Sequence, residues 1–110
     1  VEVMDDLKIR KATDTEAEYR NSLNTLRTQI DVVDHQLIEM LGKRMKIADK
    51  IGVLKKDKNV AILQTRRWNE ILGKMILEGE QNQLSEEFVL RIFKAIHQES
   101  INHQKKIINK

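Results

Sequence analysis

Residues Leu23–Lys56 read LNTLRTQIDVVDHQLIEMLGKRMKIADKIGVLKK, and apolar residues recur there in alternating steps of three and four. The series is Leu23, Leu26, Ile30, Val33, Leu37 and Met40, then Ile47, Ile51 and Leu54. That spacing keeps one face of an α-helix apolar. Asp57, Lys58 and Asn59 supply the first turn chemistry, so the pattern predicts a first helix over about residues 14–56, on the order of 60 Å long at 1.5 Å rise per residue. A compact domain of this size has a radius of gyration of about 13 Å, so such a helix projects beyond its own globule. Its seam then needs a second chain, and a homodimer is the economical expectation.

The flanking sequence extends the helical reading. The 110 residues include no Pro and four Gly, with little β-branched alternation, which predicts an all-α fold of three helices with a long first helix. Residues 1–12 show no clean periodicity, and 1–19 are expected to be a leader or inter-domain linker before a domain over 20–110. Thr13 with Glu16, or Thr15 with Glu18, has capping-box spacing for the start of the first helix. The second helix is expected from near Gln64, presenting Trp68, Ile71, Leu72, Met75 and Ile76 before Gly79 ends it. The third is expected to begin at Ser85, an N-cap residue followed by Glu86 and Glu87, which suit the helix dipole. Its stripe is Val89, Ile92, Phe93 and Ile96.

Composition removes several function classes. Zero Cys excludes a disulfide framework, thiolate zinc sites and thiol catalysis. No apolar stretch approaches the roughly 20 residues of a membrane helix, and no signal sequence opens the chain, so a cytoplasmic protein without membrane contact is expected. Residues 1–19 hold 3 basic and 6 acidic groups, leaving 17 basic against 11 acidic in the rest. That surplus points to an anionic partner. Nucleic acid is not the expected one, because neither aromatic interleaving nor a known motif accompanies the charge.

The informative feature is polarity where the pattern wants apolar side chains. After Met40 the next seam position is Arg44, and an unpaired buried guanidinium costs several kcal/mol. Arg27 and Lys55 share a strip with Asp34, Leu41 and Ala48 at intervals of seven. The third helix continues its stripe through Ser100 and Gln104 before returning to Ile107. Gln64 and Arg67 lie at i and i+3 on one face of the second helix. Together Arg27, Arg44, Lys55, Arg67, Gln64, Ser100 and Gln104 describe a cationic pocket inside a bundle, the alternative being a set of solvated or snorkelling cations. With no nucleophile, acid–base pair or metal cluster, such a pocket suits a small polyanion whose reaction needs only orientation and electrostatics. Trp68, Phe88 and Phe93 are expected in the core. His35, His97 and His103 lack helical zinc spacing and read as surface or satisfied histidines. Gly42 and Gly52, inside the first helix, suggest close helix approach.

The run LRTQIDVVDHQLIEMLGKRMKIADKIGVLKK, with QTRRWNEIL and ESINHQ after it, resembles the all-α class of chorismate mutases, in register from about Leu23 to Gln104. That resemblance implies an intertwined dimer of three-helix chains with shared sites. It also implies a pericyclic Claisen rearrangement of chorismate to prephenate with no cofactor or metal. Carried over by position, Arg27 resembles the arginine that reaches the other subunit's site, Arg44 its counterpart within the chain, and Arg67 a further carboxylate-binding arginine. Lys55 and Gln104 resemble the pair that hydrogen-bonds the ether oxygen, and Ser100 a carboxylate contact. The family is often fused to other shikimate-pathway enzymes, so a fused or associated DAHP synthase is expected as partner.

Two positions depart from the family pattern. Gln64 stands where Asp is frequent, and Trp68 stands where a Glu binds the substrate's ring hydroxyl. An indole cannot accept that proton, and Glu70 lies roughly 200° further round the helix. Hydroxyl recognition then falls to backbone groups or to Gln64. Two competing readings accompany the mutase: an isochorismate pyruvate lyase of the same fold, and a non-enzymatic helical dimerisation module.

Overall fold

A computed structural model describes residues 5–110, with side chains described from residue 15 onward. Its described residues form three helices and no strand: α1 over Asp5–Lys58, α2 over Thr65–Gln81 and α3 over Glu86–Ile108. The chain divides into two units at Glu39/Met40, and α1 runs through the boundary.

Helix α1 begins well before the expected residue 14. The stretch DLKIRKATD has no Gly or Pro and is rich in good helix formers, so helix propensity extends it without an apolar repeat. Thr15 is already inside the helix, so Thr15 with Glu18 caps nothing; the Thr13 side chain and residues 1–4 of the expected leader lie outside the described residues.

In the first unit, the α1 seam residues Leu26, Ile30, Val33 and Leu37 are all exposed, Ile30 at 59% and Val33 at 58%. In the second unit, α1 turns a neighbouring face to the other helices. Leu41, Arg44, Met45 and Lys55 are half-buried, while Ala48 and Gly52 are buried. The seam residues Met40, Ile47 and Leu54 stay exposed. The helix therefore has two apolar faces, and only one is covered within the chain.

Both inter-helix turns are made by non-glycine residues in the left-handed region. Asn59 has φ 55°, with the Val60 N–H donating to Lys55 O at 2.9 Å and the Asn59 N–H to Lys56 O at 3.3 Å. Gln83 has φ 61°, with the Leu84 N–H donating to Gly79 O at 2.8 Å and the Gln83 N–H to Glu80 O at 3.1 Å. These paired bonds are Schellman terminations, which satisfy carbonyls the helix leaves free. Gly79 thus does not end α2. It lies inside the last turn, buried because α3 crosses it: a Cβ there would sit 2.5 Å from Val89 Cγ2. Ser85 caps α3 as expected, its Oγ accepting from the Phe88 N–H at 3.2 Å.

Close approach also occurs at Gly52, where a Cβ would stand 3.1 Å from Gln104 Cα and 3.2 Å from Ile107 Cβ; Gly42 has open space around it. Of the three residues expected in the core, Phe93 and Trp68 are half-buried and Phe88 is exposed, because the first turn of α3 carries it away from the Val89 contact. No helix among the described residues is long and apolar enough to cross a membrane.

The two ends of the α2–α3 turn respond oppositely to substitution. Gln83→Gly removes a left-handed-region penalty of about 1 kcal/mol and should raise the thermal midpoint. Gly79→Ala overpacks Val89 and should cost about 1–3 kcal/mol. Thermal unfolding followed by helical circular dichroism measures both; a Gly79→Ala protein as stable as the parent would contradict the crossing.

Candidate active site

Within the second unit the three helices line an open pocket of about 430 Å³. That volume falls within the roughly 300–1,000 Å³ of small-molecule sites. Arg44 and Lys55 reach it from α1, Arg67 and Trp68 from α2, Gln64 from the α2 N-cap, and His97, Ser100 and Gln104 from α3; isoleucines supply most of the apolar wall. Six of the seven residues singled out in the sequence therefore line one chamber. Arg27 belongs to the first unit, is exposed, and is not part of this lining.

The polar lining is cross-linked. Arg44 Nη1 donates to Ser100 Oγ at 2.5 Å, and that hydroxyl in turn donates to Met45 Sδ at 3.7 Å. Lys55 Nζ donates to Gln104 Oε1 at 3.0 Å and to the Ile62 carbonyl at 2.6 Å, tying α1 to α3 and to the α1–α2 loop. An ammonium only donates, so the amide oxygen of Gln104 faces Lys55 and its NH₂ group is left to bind elsewhere. Ser100 and Gln104 are 6% and 7% exposed, the most buried polar side chains described. Gly52 favours the depth of Gln104, since a Cβ at that position would press on α3 at 3.1–3.2 Å.

The charge in this pocket has one sign. Arg44, Lys55 and Arg67 line it, and no carboxylate does. Burial and the nearby Arg67 guanidinium lower the Arg44 pKa, and burial lowers that of Lys55. Both shifts are the mark of cations held without an anion, the state a bound dianion relieves.

His97 is the lining residue that sequence reasoning missed. It stacks on Trp68, with ring centroids 4.0 Å apart and planes inclined by 17°. Burial lowers its pKa from the ordinary 6.5, and Arg44 and Lys55 add repulsion. The signal was available in its spacing: His97, Ser100 and Gln104 stand at i, i+3 and i+7, one face of a helix. The other histidines fit the sequence reading. His103 Nδ1 lies 2.8 Å from Asp49 Oδ1 at the α1–α3 contact, and His35 pairs with Glu39 on the surface.

The profile of the family described as chorismate mutase type II matches residues 26–105, most of the chain and every pocket residue. The chain belongs to the chorismate mutase type II family. Among its curated relatives is a bifunctional chorismate mutase/prephenate dehydratase of Buchnera aphidicola subsp. Acyrthosiphon pisum, 32% identical over 90 residues that make up 82% of this chain and 23% of the relative. Proteins of the same description from Aquifex aeolicus (strain VF5) and Escherichia coli (strain K12) are 28% and 25% identical, over 77% and 80% of the chain and 24% and 23% of their own lengths. The chain thus spans about a quarter of the length of these relatives. Their second named activity is a prephenate dehydratase, not the DAHP synthase expected as partner.

The electrostatics of this type II pocket have a direct readout. A lowered pKa means that the unfolded chain binds the His97 proton more readily than the folded one. Its contribution to stability therefore rises with pH between the folded value and the ordinary one. Proton NMR of the ring should give a midpoint below 6.5, and Arg44→Gln should move that midpoint upward by removing one repelling charge. An unmoved midpoint would contradict the proximity of the two groups.

Proposed function

We propose that this chain is a chorismate mutase, converting chorismate to prephenate by a cofactor-free pericyclic rearrangement, as a cytoplasmic homodimer. The observation that carries the reading is the bond from the half-buried Lys55 to the buried Gln104, in an apolar-walled chamber whose charged groups are all cationic. Chorismate carries two carboxylates and an ether. Arg44, with Ser100 beside it, and Arg67 clamp carboxylate charge. Gln64, at the α2 N-cap, supplies a neutral polar contact.

Held in this way, the enolpyruvyl arm folds over the ring in a compact chair, and entropy that the free substrate would lose is lost on binding instead. As the C–O bond breaks, negative charge grows on the ether oxygen. Lys55 Nζ and the free NH₂ of Gln104 meet that charge more strongly in the transition state than in the ground state, and this difference accelerates the reaction. No proton needs to be transferred.

The dimer is supported by the uncovered α1 seam. Met40 and Leu54 are each 59% exposed, and Leu26, Ile30, Val33 and Leu37 of the first unit are exposed along the same helix. A partner copy buries such a row at about 25 cal/mol per Å². Arg27 in this reading contributes to the partner's chamber, completing a site that one chain leaves open. For a fused or associated protein, the relatives' names favour a prephenate dehydratase, which would act on this product.

Assays with chorismate and isochorismate in parallel separate the readings. Prephenate from chorismate supports the mutase. Salicylate and pyruvate from isochorismate would support the lyase, and a folded dimer that binds neither would leave only a dimerisation module. Lys55→Ala should lower kcat by about 10²–10³, with KM changed far less; a loss confined to KM would contradict the transition-state role. Mixed dimers of Arg27→Ala and Arg44→Ala chains should regain activity, because one of their two sites then keeps both arginines. No recovery after verified subunit exchange would count against the shared site.

A further inference from the structure

The stacked pair at the α2–α3 contact has no place in the reaction just described, yet both rings line the chamber. Among the described residues, neither ring nitrogen of His97 has a hydrogen-bond partner, whereas Ser100 and Gln104 are bonded to Arg44 and Lys55. The charged groups around His97 are Arg44 and Lys55 of α1. Arg67 of α2 lines the same chamber, and α3 itself adds no charged group to the lining. Burial, with repulsion from Arg44 and Lys55 added to it, lowers the pKa of this imidazole.

A bound dianion acts on the charge around this ring. Its carboxylates offset the charge of Arg44, Lys55 and Arg67, and so remove the repulsion opposing a fourth cation. They also provide an acceptor for an imidazolium N–H. The indole face of Trp68 adds a further attraction, because an aromatic face favours a cation stacked against it.

We propose that His97 is a proton-coupled binding residue: entry of the dicarboxylate draws one proton onto its ring, and the imidazolium, backed by Trp68, becomes an additional cationic contact to the bound anion. This inference rests on the mutase reading for the identity of the ligand. By linkage, a group that binds its proton more tightly in the complex makes affinity rise as pH falls through the interval between its free and bound pKa values.

The test uses an unreactive oxabicyclic dicarboxylate that imitates the chair transition state. Its binding to the dimer is measured by calorimetry at several pH values between 6 and 8, in pairs of buffers with different ionisation heats. The wild type should take up a fraction of a proton near pH 6.5, falling towards zero by pH 8, with Kd several-fold tighter at pH 6 than at pH 8. On binding, the His97 ring resonances should move towards the imidazolium position. His97→Phe keeps a ring against Trp68 but cannot titrate, and His97→Gln keeps polarity without charge. Both should bind with no proton uptake and with a flat pH dependence, with helicity checked by circular dichroism. Uptake that persists in either variant, or a His97 resonance that does not move on binding, would overturn the proposal. Chorismate turnover with no proton uptake defeats only this inference, whereas neither turnover nor binding in the wild type defeats the mutase reading and this one with it.

Discussion

The lysine at the end of α1 carries the arrangement on which the rest of the site depends. Lys55 Nζ holds the Ile62 carbonyl of the loop and the Gln104 amide of α3 together. Its ammonium is half-buried and has no carboxylate beside it. Three neutral-to-cation hydrogen bonds across the chamber, two from Lys55 and one from Arg44 to Ser100, keep positive charge in place without cancelling it. A carboxylate of the chain paired to any one of these groups would have filled the pocket with the protein's own anion.

The sequence was most legible where periodicity and chemistry disagreed. A guanidinium at the seam position after Met40 and two amphiphilic positions late in α3 were visible as polar residues in apolar slots. The structure brings Arg44, Ser100 and Gln104 to one chamber with Lys55, Gln64 and Arg67. Spacing alone does not reveal how faces divide. The apolar seam of α1 and the face that carries Lys55 are adjacent but distinct, and only the second is covered within the chain. Intervals of seven separate the two in the sequence but do not show which of them the other helices cover.

Two of the misread residues, Gly79 and His97, sit where α2 and α3 meet, so their roles depend on that contact as well as on spacing. Gly79 looked like a terminator because glycine commonly follows the last helical turn. Here Val89 occupies the space a side chain would need, and Gln83 makes the turn instead. His97 reads as a surface or satisfied histidine when its i+6 relation to His103 is weighed, rather than its relation to Ser100 and Gln104. Its stacking on Trp68 depends on how α2 crosses α3. The early start of α1 reflects propensity alone, which leaves no hydrophobic repeat to read.

Gly52 sets a limit on how this protein can diversify. The helix that presents Gln104 rests on bare backbone, 3.1 Å from where a methyl group would begin. Any side chain introduced there requires α3 to give by some tenths of an ångström at Gln104. Side-chain variation along the chamber is therefore freer at the α2 wall, where Gln64 and Trp68 stand away from this contact, than at Gly52, where any Cβ presses on Gln104 and Ile107. A library built on this scaffold should leave that one position fixed.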